Sequence, residues 1–491
     1  MTDDLAGRSV VSIDDMSNEE IEGIFDVADE ILENRSSFFG KASNLELATL
    51  FYEPSTRTRL SFEAAMHRLG GGVISTWDMT ATSAKKGESL ADTVRVIGGY
   101  ADLIVLRHPW EGAAKLAAEY SPVPVINAGD GGHEHPTQTL CDLYTLKKHH
   151  GILKGLRVAL CGDLETGRTV HSLAIALTRF GAETFFVPGK GKNIPDYLVR
   201  RLQREYGARA ERVRSGVLGL LFGKSPDGET ENTVNAIYMT PSESNQLALI
   251  PDLEGLQDDQ IPEKVLNFKK MSIYFTRLQK ERGANPSTDG AYPSLTRERL
   301  KQKQLSDISI LHPLPRIEEI APDVDDDPRS LYFEQARFGL PIRMALIWHV
   351  LGMARGNGAP PTPYKRRIQG SRYKHAGFSC DNQMCITKRE SQFASAEFEI
   401  IDGASYVLRC LYCDHEYHPG VIGNKASKLY YSAEASSRWR KQTSLSNLRF
   451  FDSIAAAKEA RFAAAEPTRS RKEPPNNGPK ADQEWVDVVK T

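Results

Sequence analysis

The sequence predicts an α/β protein with two doubly wound parallel-sheet domains, followed by a small four-cysteine domain. Short apolar runs alternate with amphipathic segments from about residue 45 to 150, and a second such series begins at Leu156. This alternation favours parallel sheets covered by helices on both faces. Two close pairs of cysteines stand near the C-terminus, and 491 residues exceed what one compact core holds.

The first unit, residues 1–150, contains four apolar runs of strand length, and each is followed by a segment with helical periodicity. The runs and segments therefore predict four parallel strands and their helices. The predicted strands are Leu47–Phe51, Val73–Thr76, Leu103–Leu106 and Val123–Ile126, and the predicted helices are Thr56–Leu69, Glu88–Gly98, Glu111–Tyr120 and His135–His149.

The second unit, residues 151–354, repeats the pattern and ends in a long helix predicted to pack back on the first unit. Residues 207–268 are rich in Gly, Ser, Pro and acidic residues and are interpreted as an insertion. Within it, 237–240 (IYMT) echo 273–276 (IYFT), and both duplication and chance remain open. The predicted strands are Leu156–Cys161, Thr184–Val187, Ser272–Thr276 and Ile308–His312, and the predicted helices are Arg168–Phe180 and Gln335–Ala354.

The C-terminal part divides into four segments. Residues 355–377 are basic and rich in Gly and Pro, which indicates a solvated linker rather than a nucleic-acid-binding segment. The four-cysteine domain spans 378–425, and 426–466 are interpreted as a small α/β appendage. This appendage faintly resembles small metal-binding modules of the DNA-repair type, but it lacks their cysteines. Residues 467–491 are predicted to be a disordered tail.

The bulk composition excludes several classes of partner. Lys and Arg number 62 against 64 Asp and Glu, so no global field attracts nucleic acid or an anionic membrane. The first five residues carry no apolar core of a signal peptide. The longest apolar runs, such as Val217–Phe222, are too short to span a bilayer. We therefore expect a cytoplasmic protein.

A cluster of hydroxyls and arginines follows the first predicted strand, at residues 51–59 (FYEPSTRTR). The cluster opens a predicted helix, where backbone N–H groups and the helix dipole favour an anion. Arg57 has the fork geometry that matches phosphate oxygens, and three neighbouring hydroxyls add shorter donors. A capped helix with solvent-facing arginines is the alternative. No glycine-rich dinucleotide fingerprint or Walker-type lysine motif accompanies the cluster, so NAD and ATP are not indicated.

This run resembles the carbamoyl phosphate signature of the aspartate and ornithine transcarbamoylases, and further motifs of that family follow in order. The resemblance implies a transcarbamoylase-like fold, with the active site in the cleft between the two domains. These further motifs are Ser83–Glu88, Arg107–Pro109, His135–Gln138, Gly162–Leu164, Gly167–Ser172, Arg277–Arg282 and His312–Arg316.

For carbamoyl phosphate, the resemblance implies a site whose donors polarise the carbonyl and neutralise the phosphate. The family serine of the loop at 83–88 corresponds to Ser83 or to Thr82, and in the family this loop reaches into a neighbouring subunit. The implied binding residues are Ser55, Thr56, Arg57, Thr58, Ser83, Lys86, Arg107, His135, Gln138, Leu314 and Pro315. The implied catalytic residues are Arg57, Thr58, Lys86, Arg107, His135 and Gln138.

The second substrate implied is L-aspartate, whose two carboxylates suit guanidinium forks. Ornithine enzymes typically carry a cysteine where this chain has Pro313. The reaction yields N-carbamoyl-L-aspartate and phosphate, an early committed step of pyrimidine (UMP) biosynthesis. No cofactor is expected for the chemistry, and a catalytically silent homologue is the competing interpretation. The implied aspartate-binding residues are Lys86, Arg168, Arg277, Gln279 and Leu314.

The two cysteine pairs predict a structural zinc site. Cys380 and Cys385 are separated by four residues, and Cys410 and Cys413 follow after 24 intervening residues (386–409). Four thiolates without another ligand describe a closed tetrahedral site. The two remaining cysteines, at 141 and 161, stand singly in apolar stretches and are interpreted as core residues.

The region around these cysteines resembles the zinc domain of the aspartate transcarbamoylase regulatory chain, which docks on catalytic subunits. The linker leaves no room for that chain's nucleotide-binding domain. The resemblance implies a fusion protein that forms a homotrimer or a dimer of trimers. Our hypothesis is that the module bridges trimers; a nucleic-acid-binding zinc ribbon is the alternative.

Overall fold

The computed structural model describes most of both predicted sheets and the cysteine module. The described residues are 5–76, 87–165, 167–189, 191–208, 210–213, 223–224, 230–231, 234–240, 271–277, 294–301, 305–355, 360–365, 371–374, 378–402, 406–432, 447–465 and 485–486.

The first unit is a four-stranded parallel sheet, as predicted, and its strand order is β2-β1-β3-β4. The interior positions of β1, β3 and β4 are mostly buried on both faces, which is typical of a helix-covered parallel sheet, whereas the edge strand β2 is partly exposed. The strands are β1 (Glu46–Phe51), β2 (Gly72–Thr76), β3 (Leu103–His108) and β4 (Val125–Asp130), and the helices are α1 (Asn18–Glu33), α2 (Thr56–Leu69), α3 (Leu90–Ile97), α4 (Ala113–Tyr120) and α5 (Pro136–His150).

The second unit is a seven-stranded sheet in the order β12-β11-β10-β5-β6-β7-β21. All of its strand pairs are parallel. Its strands are β5 (Arg157–Gly162), β6 (Glu183–Pro188), β7 (Ala210–Val213), β10 (Ala236–Met239), β11 (Met271–Phe275), β12 (Ile308–Leu311) and β21 (Trp485–Val486), with helices α6 (Arg168–Arg179) and α7 (Asp196–Tyr206) and a separate ladder of β8 (Gly223–Lys224) with β9 (Thr230–Glu231).

Strand β10 lies between β5 and β11, inside the stretch interpreted as an insertion. Part of that stretch is therefore central to the sheet. The two echoing segments pair in register, with Tyr238 opposite Tyr274, and the two rings stack with centroids 4.1 Å apart. A parallel neighbour of like sequence explains why both segments are fully buried strands.

The long helix α8 (Tyr332–Val350) packs against α1, α2 and α5 of the first unit. Its second half, from Pro341 to Val350, is buried on nearly every side, which explains why most residues of that half are apolar. Among the described residues, no helix combines the length and apolarity needed to cross a membrane.

Two further four-stranded sheets follow, in the orders β13-β14-β15-β16 and β19-β17-β18-β20. The first begins at β13, inside the interval interpreted as a linker, and the second begins at β17, inside the interval assigned to the cysteine domain. The elements are β13 (Ser371–Tyr373), α9 (Ile386–Arg389), β14 (Phe398–Asp402), β15 (Val407–Cys410), β16 (Glu416–Tyr417), β17 (Val421–Asn424), β18 (Leu429–Ser432), β19 (Leu448–Phe451), α10 (Ile454–Glu459) and β20 (Ala463–Ala464).

Candidate active site and metal centre

The N-terminus of α2 presents the predicted anion-binding residues. Ser55 is the N-cap residue, with φ −157°, and its hydroxyl makes no capping hydrogen bond within the described residues. Thr56 and Arg57 follow it and are exposed. A hydroxyl that does not cap its own helix is available to an external acceptor at the positive end of the dipole.

Arg107 lies where β3 leaves the sheet, beside the end of β1. Its carbonyl accepts a hydrogen bond of 2.9 Å from the Tyr52 amide, and Phe51 is its register partner. The guanidinium donates to the Ala128 carbonyl at 3.2 Å, and its Nε lies 3.5 Å from Glu53 Oε2. These contacts hold the side chain of Arg107 across the carboxyl ends of three adjacent strands.

His135 is the N-cap residue of α5, and its ring orientation is fixed by its own helix. Nδ1 accepts hydrogen bonds from the Gln138 amide at 3.3 Å and from the Thr137 hydroxyl at 3.4 Å. Because Nδ1 is an acceptor, the proton of the neutral ring lies on Nε2. His135 can therefore donate a hydrogen bond from Nε2 to a substrate oxygen.

The loop after β12 is also held by a histidine. His312 is buried; its Nδ1 accepts from the Leu314 amide at 2.8 Å, and its Nε2 lies 2.8 Å from Glu319 Oε1. Burial lowers the pKa of His312, although Glu319 opposes this shift. Leu314 has a positive φ of 54° and precedes Pro315 through a cis peptide bond. His312 thus fixes the loop that carries Leu314 and Pro315 through its hydrogen bond to the Leu314 amide.

Electrostatics connect the two domains at this cleft. Desolvation and the positive charge of Arg277 lower the pKa of Arg57, and Arg57 in turn contributes to the lowered pKa of His312. Arg57 belongs to the first domain, and Arg277 follows β11 of the second. Cations from both domains therefore lie within range of one another, as expected where an anionic ligand bridges two domains.

Four of the predicted site residues lack a described side chain. Arg168 begins α6, but its side chain lies outside the described part of the structure. Ser83, Lys86 and Gln279 lie outside the described residues altogether.

Sequence reasoning missed two buried acids that connect the predicted motifs. Glu134, immediately before His135, accepts hydrogen bonds from the hydroxyls of Ser12 at 2.7 Å and Ser172 at 2.8 Å. Asp142, one turn after Gln138, accepts from Gln138 Nε2 at 2.9 Å. Asp142 is an acidic residue between the apolar pairs Leu140-Cys141 and Leu143-Tyr144, and that contrast is its local signal. Glu134 lies in a polar loop between two histidines and carries no such signal.

The four C-terminal cysteines converge in space. Their sulfurs all lie within 4.8 Å of one another, with Cys380–Cys413 at 3.6 Å and Cys385–Cys410 at 3.9 Å. Zn–S bonds of about 2.3 Å in a tetrahedron place sulfurs about 3.8 Å apart, so the cluster fits this ion. All four side chains are buried, and the Thr387 hydroxyl donates to Cys385 Sγ at 3.2 Å.

Comparison with known proteins identifies three regions. Residues 8–148 match the carbamoyl-P binding domain of aspartate/ornithine carbamoyltransferases, and residues 272–350 match their Asp/Orn binding domain. Residues 373–421 match the metal-binding domain of the aspartate carbamoyltransferase regulatory chain.

Catalytic subunits of aspartate carbamoyltransferase from Thermoplasma volcanium and Methanopyrus kandleri are 42% and 43% identical to the chain. Each match covers 71% of the chain, and 99% and 98% of the relative. The chain belongs to the aspartate carbamoyltransferase family.

Solved members of the family share the fold. The catalytic subunit from M. jannaschii aligns with a TM-score of 0.53 at 41% identity, covering 71% of this chain and all of that one. The Trypanosoma cruzi aspartate transcarbamoylase in complex with carbamoyl phosphate and aspartate aligns with a TM-score of 0.55 at 30% identity, covering 71% and 97%. The predicted fold and the fusion of catalytic-chain domains with a regulatory-chain zinc domain are confirmed. The zinc site is structural, as predicted.

In this member of the family the zinc module docks on the first domain of its own chain. Glu111, four residues after Arg107, forms a β-bridge with Cys385: its amide donates to the Met384 carbonyl at 2.9 Å, and its carbonyl accepts from Ile386 at 2.8 Å. Gly112 follows with φ 82°, where a side chain would collide with the Tyr412 backbone. The segment Met384–Ile386, which carries Cys385, thus pairs directly with the loop after β3.

An ionic contact joins the segment that carries Cys413 to the segment that carries His135. Asp414, next to Cys413, accepts from Lys115 Nζ at 2.7 Å and lies 2.8 Å from His133 Nε2. The other ring nitrogen of His133 lies 3.1 Å from Asp130 Oδ2. The segment that carries Cys413 and the segment that carries His135 are consequently connected by polar contacts inside a single chain.

The second domain also contacts the module, through α7. Arg409 donates to Glu205 at 3.2 Å and to Glu399 at 2.8 Å, while Arg200 donates to Glu416 at 2.8 Å. The module therefore contacts both catalytic domains at once, and its contact with the second domain includes the buried ion pair of Arg409 with Glu205.

Proposed function

We propose that the chain is an enzyme that transfers the carbamoyl group of carbamoyl phosphate to L-aspartate, giving N-carbamoyl-L-aspartate and phosphate. This is an early committed step of pyrimidine biosynthesis. The observation that supports the proposal is the N-terminus of α2, where the Ser55 hydroxyl makes no capping hydrogen bond within the described residues and Arg57 is exposed. Arg277 of the second domain contributes to the lowered pKa of Arg57, which agrees with a site built from both domains. One substrate with a phosphate and another with two carboxylates would be held from the two sides.

The phosphate would be bound at the N-terminus of α2. Ser55, Thr56, Arg57 and Thr58 would supply hydroxyl, amide and guanidinium donors at the positive end of this 14-residue helix. Lys86, with Ser83 on the same loop, would add a cation where charge grows on the departing phosphate.

The carbamoyl carbon would be attacked directly by the aspartate amine. Arg107 and His135 Nε2 would donate to the carbonyl oxygen as it becomes an oxyanion, and Gln138 would contact the carbamoyl nitrogen. The new C–N bond forms, the C–O bond to phosphate breaks, and the departing phosphate accepts the amine proton. No side-chain nucleophile is needed, because positioning can supply an effective molarity on the order of 10⁵ M.

Aspartate would be held from the second domain. Arg168, Arg277 and Gln279 would bind its two carboxylates, and Lys86 would contribute from the loop. The Leu314 carbonyl, with Pro315 shaping the pocket, would lie beside the attacking amine. The hydrogen bond from Leu314 to His312 supports this arrangement, because it fixes the loop that presents that carbonyl.

The test is product formation by the purified chain with carbamoyl phosphate and either aspartate or ornithine. We expect carbamoyl aspartate only, lost in Arg57→Ala and retained in Arg68→Ala, a matched arginine exposed at the other end of the same helix. Arg277→Ala should raise the KM for aspartate without a comparable change for carbamoyl phosphate. Product from ornithine, or full activity in Arg57→Ala, would overturn the proposal.

We further propose a cytoplasmic homotrimer or dimer of trimers in which the zinc module bridges trimers. The domain limits would be 1–150, 151–354, 355–377, 378–425, 426–466 and 467–491, with the regulatory-type module fused in line, apart from the strands β13, β17 and β21, which pair across these limits. Sedimentation before and after zinc chelation tests the bridge. A fall from six chains to three supports it, and an unchanged mass contradicts it.

A further inference from the structure

Three predicted motifs meet at one buried carboxyl group. Asp142 lies on α5, and its Oδ1 accepts hydrogen bonds from Gln138 Nε2 at 2.9 Å and Tyr274 Oη at 2.8 Å. Gln335 Nε2, from α8, approaches the same oxygen at 3.4 Å. Gln335 Oε1 in turn accepts from the His312 amide at 2.8 Å. The group therefore contacts the Gln138 motif directly, the strand before Arg277 through Tyr274, and the loop at 312–316 through Gln335.

The two oxygens of Asp142 have different surroundings. The side chain is 2% exposed, and its Oδ2 is buried without a hydrogen-bond partner in the described structure. All three donors point at Oδ1. A fully satisfied structural carboxylate would use both oxygens, so this arrangement is costly for stability alone.

The contact with Asp142 determines which way the Gln138 amide points. An ionised carboxylate only accepts hydrogen bonds, so it selects the NH₂ end of the amide and leaves the amide oxygen facing away from Asp142. The carbamoyl group ends in NH₂, which requires an acceptor. A protonated Asp142 could donate instead, and the amide could then turn its NH₂ toward the substrate, where two donors would face each other.

We propose that Asp142 is a positioning residue that fixes the amide of Gln138 so that its oxygen, not its NH₂ group, is presented to the carbamoyl nitrogen. The proposal rests on the proposed function, since it assigns Gln138 to the carbamoyl group. The Gln138 oxygen would recognise the NH₂ group of carbamoyl phosphate and not its phosphate group.

The protonation state of Asp142 adds a pH dependence. Burial raises the pKa of Asp142 to about 7, against the lowering effect of its three donors. The titratable and charged groups on the surrounding elements are Cys141, Tyr238, Tyr274, His312 and Arg343. The pKa of Tyr274 is raised well above its usual value, that of Cys141 is raised, and that of His312 is lowered. These three therefore stay in one state near neutrality, while Asp142 titrates.

Two substitutions of Asp142 separate its effect on the orientation of the Gln138 amide from the effect of its charge. Asp142→Leu removes the acceptor and should weaken carbamoyl phosphate binding about tenfold at pH 8, the scale of one hydrogen bond to a charged group. Asp142→Asn keeps an oxygen at the Oδ1 position and cannot ionise. Its affinity for carbamoyl phosphate should stay within about threefold of the wild type. The acid limb of the wild-type profile, the fall in this affinity below about pH 7, should disappear. Tyr274→Phe removes a donor that lowers the pKa of Asp142. In this variant the fall in carbamoyl phosphate affinity on acidification should therefore begin at a higher pH.

The decisive probe is acetyl phosphate, which has CH₃ where carbamoyl phosphate has NH₂. We expect Asp142→Leu to change its dissociation constant, measured by calorimetry, by less than about twofold. Equal weakening of both ligands would mean a purely structural role and overturn the proposal, as would an acid limb unchanged in Asp142→Asn and Tyr274→Phe.

Calorimetry does not require turnover. A wild-type chain that binds carbamoyl phosphate but forms no carbamoyl aspartate would refute the proposed function and still test Asp142. If Asp142→Leu does not fold, the pH profiles of the other two variants decide.

Discussion

Replacing Arg409 with methionine should destabilise the chain by about 3–5 kcal/mol. Its guanidinium lies between Glu205 of the second domain and Glu399 of the zinc module, at 3.2 Å and 2.8 Å. The three side chains are 7%, 7% and 0% exposed, in the order Arg409, Glu205, Glu399. Methionine fills similar space but removes the cation that lies between the two desolvated carboxylates, although Glu205 keeps its ion pair with Arg201 at 3.0 Å.

Arg204→Met is the matched control. Arg204 also reaches Glu205, at 3.4 Å, but its side chain is 38% exposed. Exposed ion pairs contribute about 0–1 kcal/mol, so this variant should unfold close to the wild type. The same substitution at two arginines that share one carboxylate therefore isolates the effect of burial.

The assay is urea unfolding followed by circular dichroism and by zinc release to a chromophoric chelator. Because Arg409 joins α7 to the module, zinc release should shift to lower urea in Arg409→Met. Adding Glu399→Gln should recover part of the loss by removing one of the two buried charges that lose Arg409. Equal, small shifts for both arginine variants, or no recovery in the double variant, would refute the reasoning.

Three further outcomes are expected. Zinc removal should abolish hydrogen-exchange protection of the amides of Glu111 and Ile386, which pair across the docking contact; retained protection would show that docking does not need the metal. Gly112→Ala should cost more than about 1 kcal/mol, because φ is 82° and the new methyl would lie 2.7 Å from the Tyr412 carbonyl oxygen; thermal unfolding measures this. Burial raises the pKa of Asp142 from 3.8 to about 7, so the stability contributed by its protonated form is lost as pH rises from about 4 to 7. Asp142→Asn should then gain about 2–3 kcal/mol of stability relative to the wild type between pH 5 and 8, and an unchanged difference in denaturation midpoint would contradict this.

Most of the fold could be predicted because most of its strands can be recognised from their own residues. Each strand of the first sheet is a short apolar run, and its parallel partners follow from the alternation with helices. Strand β10 was not legible, since residues 207–268 have the composition of a surface insertion. Its strand character comes from its neighbours β5 and β11, which bury it on both edges. Likewise, β13 (Ser371–Tyr373) is a three-residue segment in a basic stretch that becomes a strand only by pairing with β14.

The candidate site divides in the same way. Ser55, Arg57 and His135 were predictable because each stands at a helix N-terminus, and that position alone orients hydroxyls and N–H groups toward a ligand. Asp142 was not, because its partner Tyr274 is 132 residues away along the chain. Local sequence reveals residues that face a substrate, whereas residues that orient them depend on tertiary contacts.

The docking of the zinc module constrains any bridge between trimers. One apolar cluster contains Leu90 and Leu116 of the first domain together with Phe398 and Leu408 of the module, so the module is continuous with the catalytic core. Its segment Met384–Ile386 is also occupied, by Glu111 on the same chain. Ile422 of β17 and Phe450 of β19 belong to the same cluster, so the sheet β19-β17-β18-β20 also packs against this core. A bridge between trimers must therefore use residues outside these contacts. Substitutions that break such a bridge should change the assembly and spare zinc binding, whereas substitutions at the docking contact should affect both.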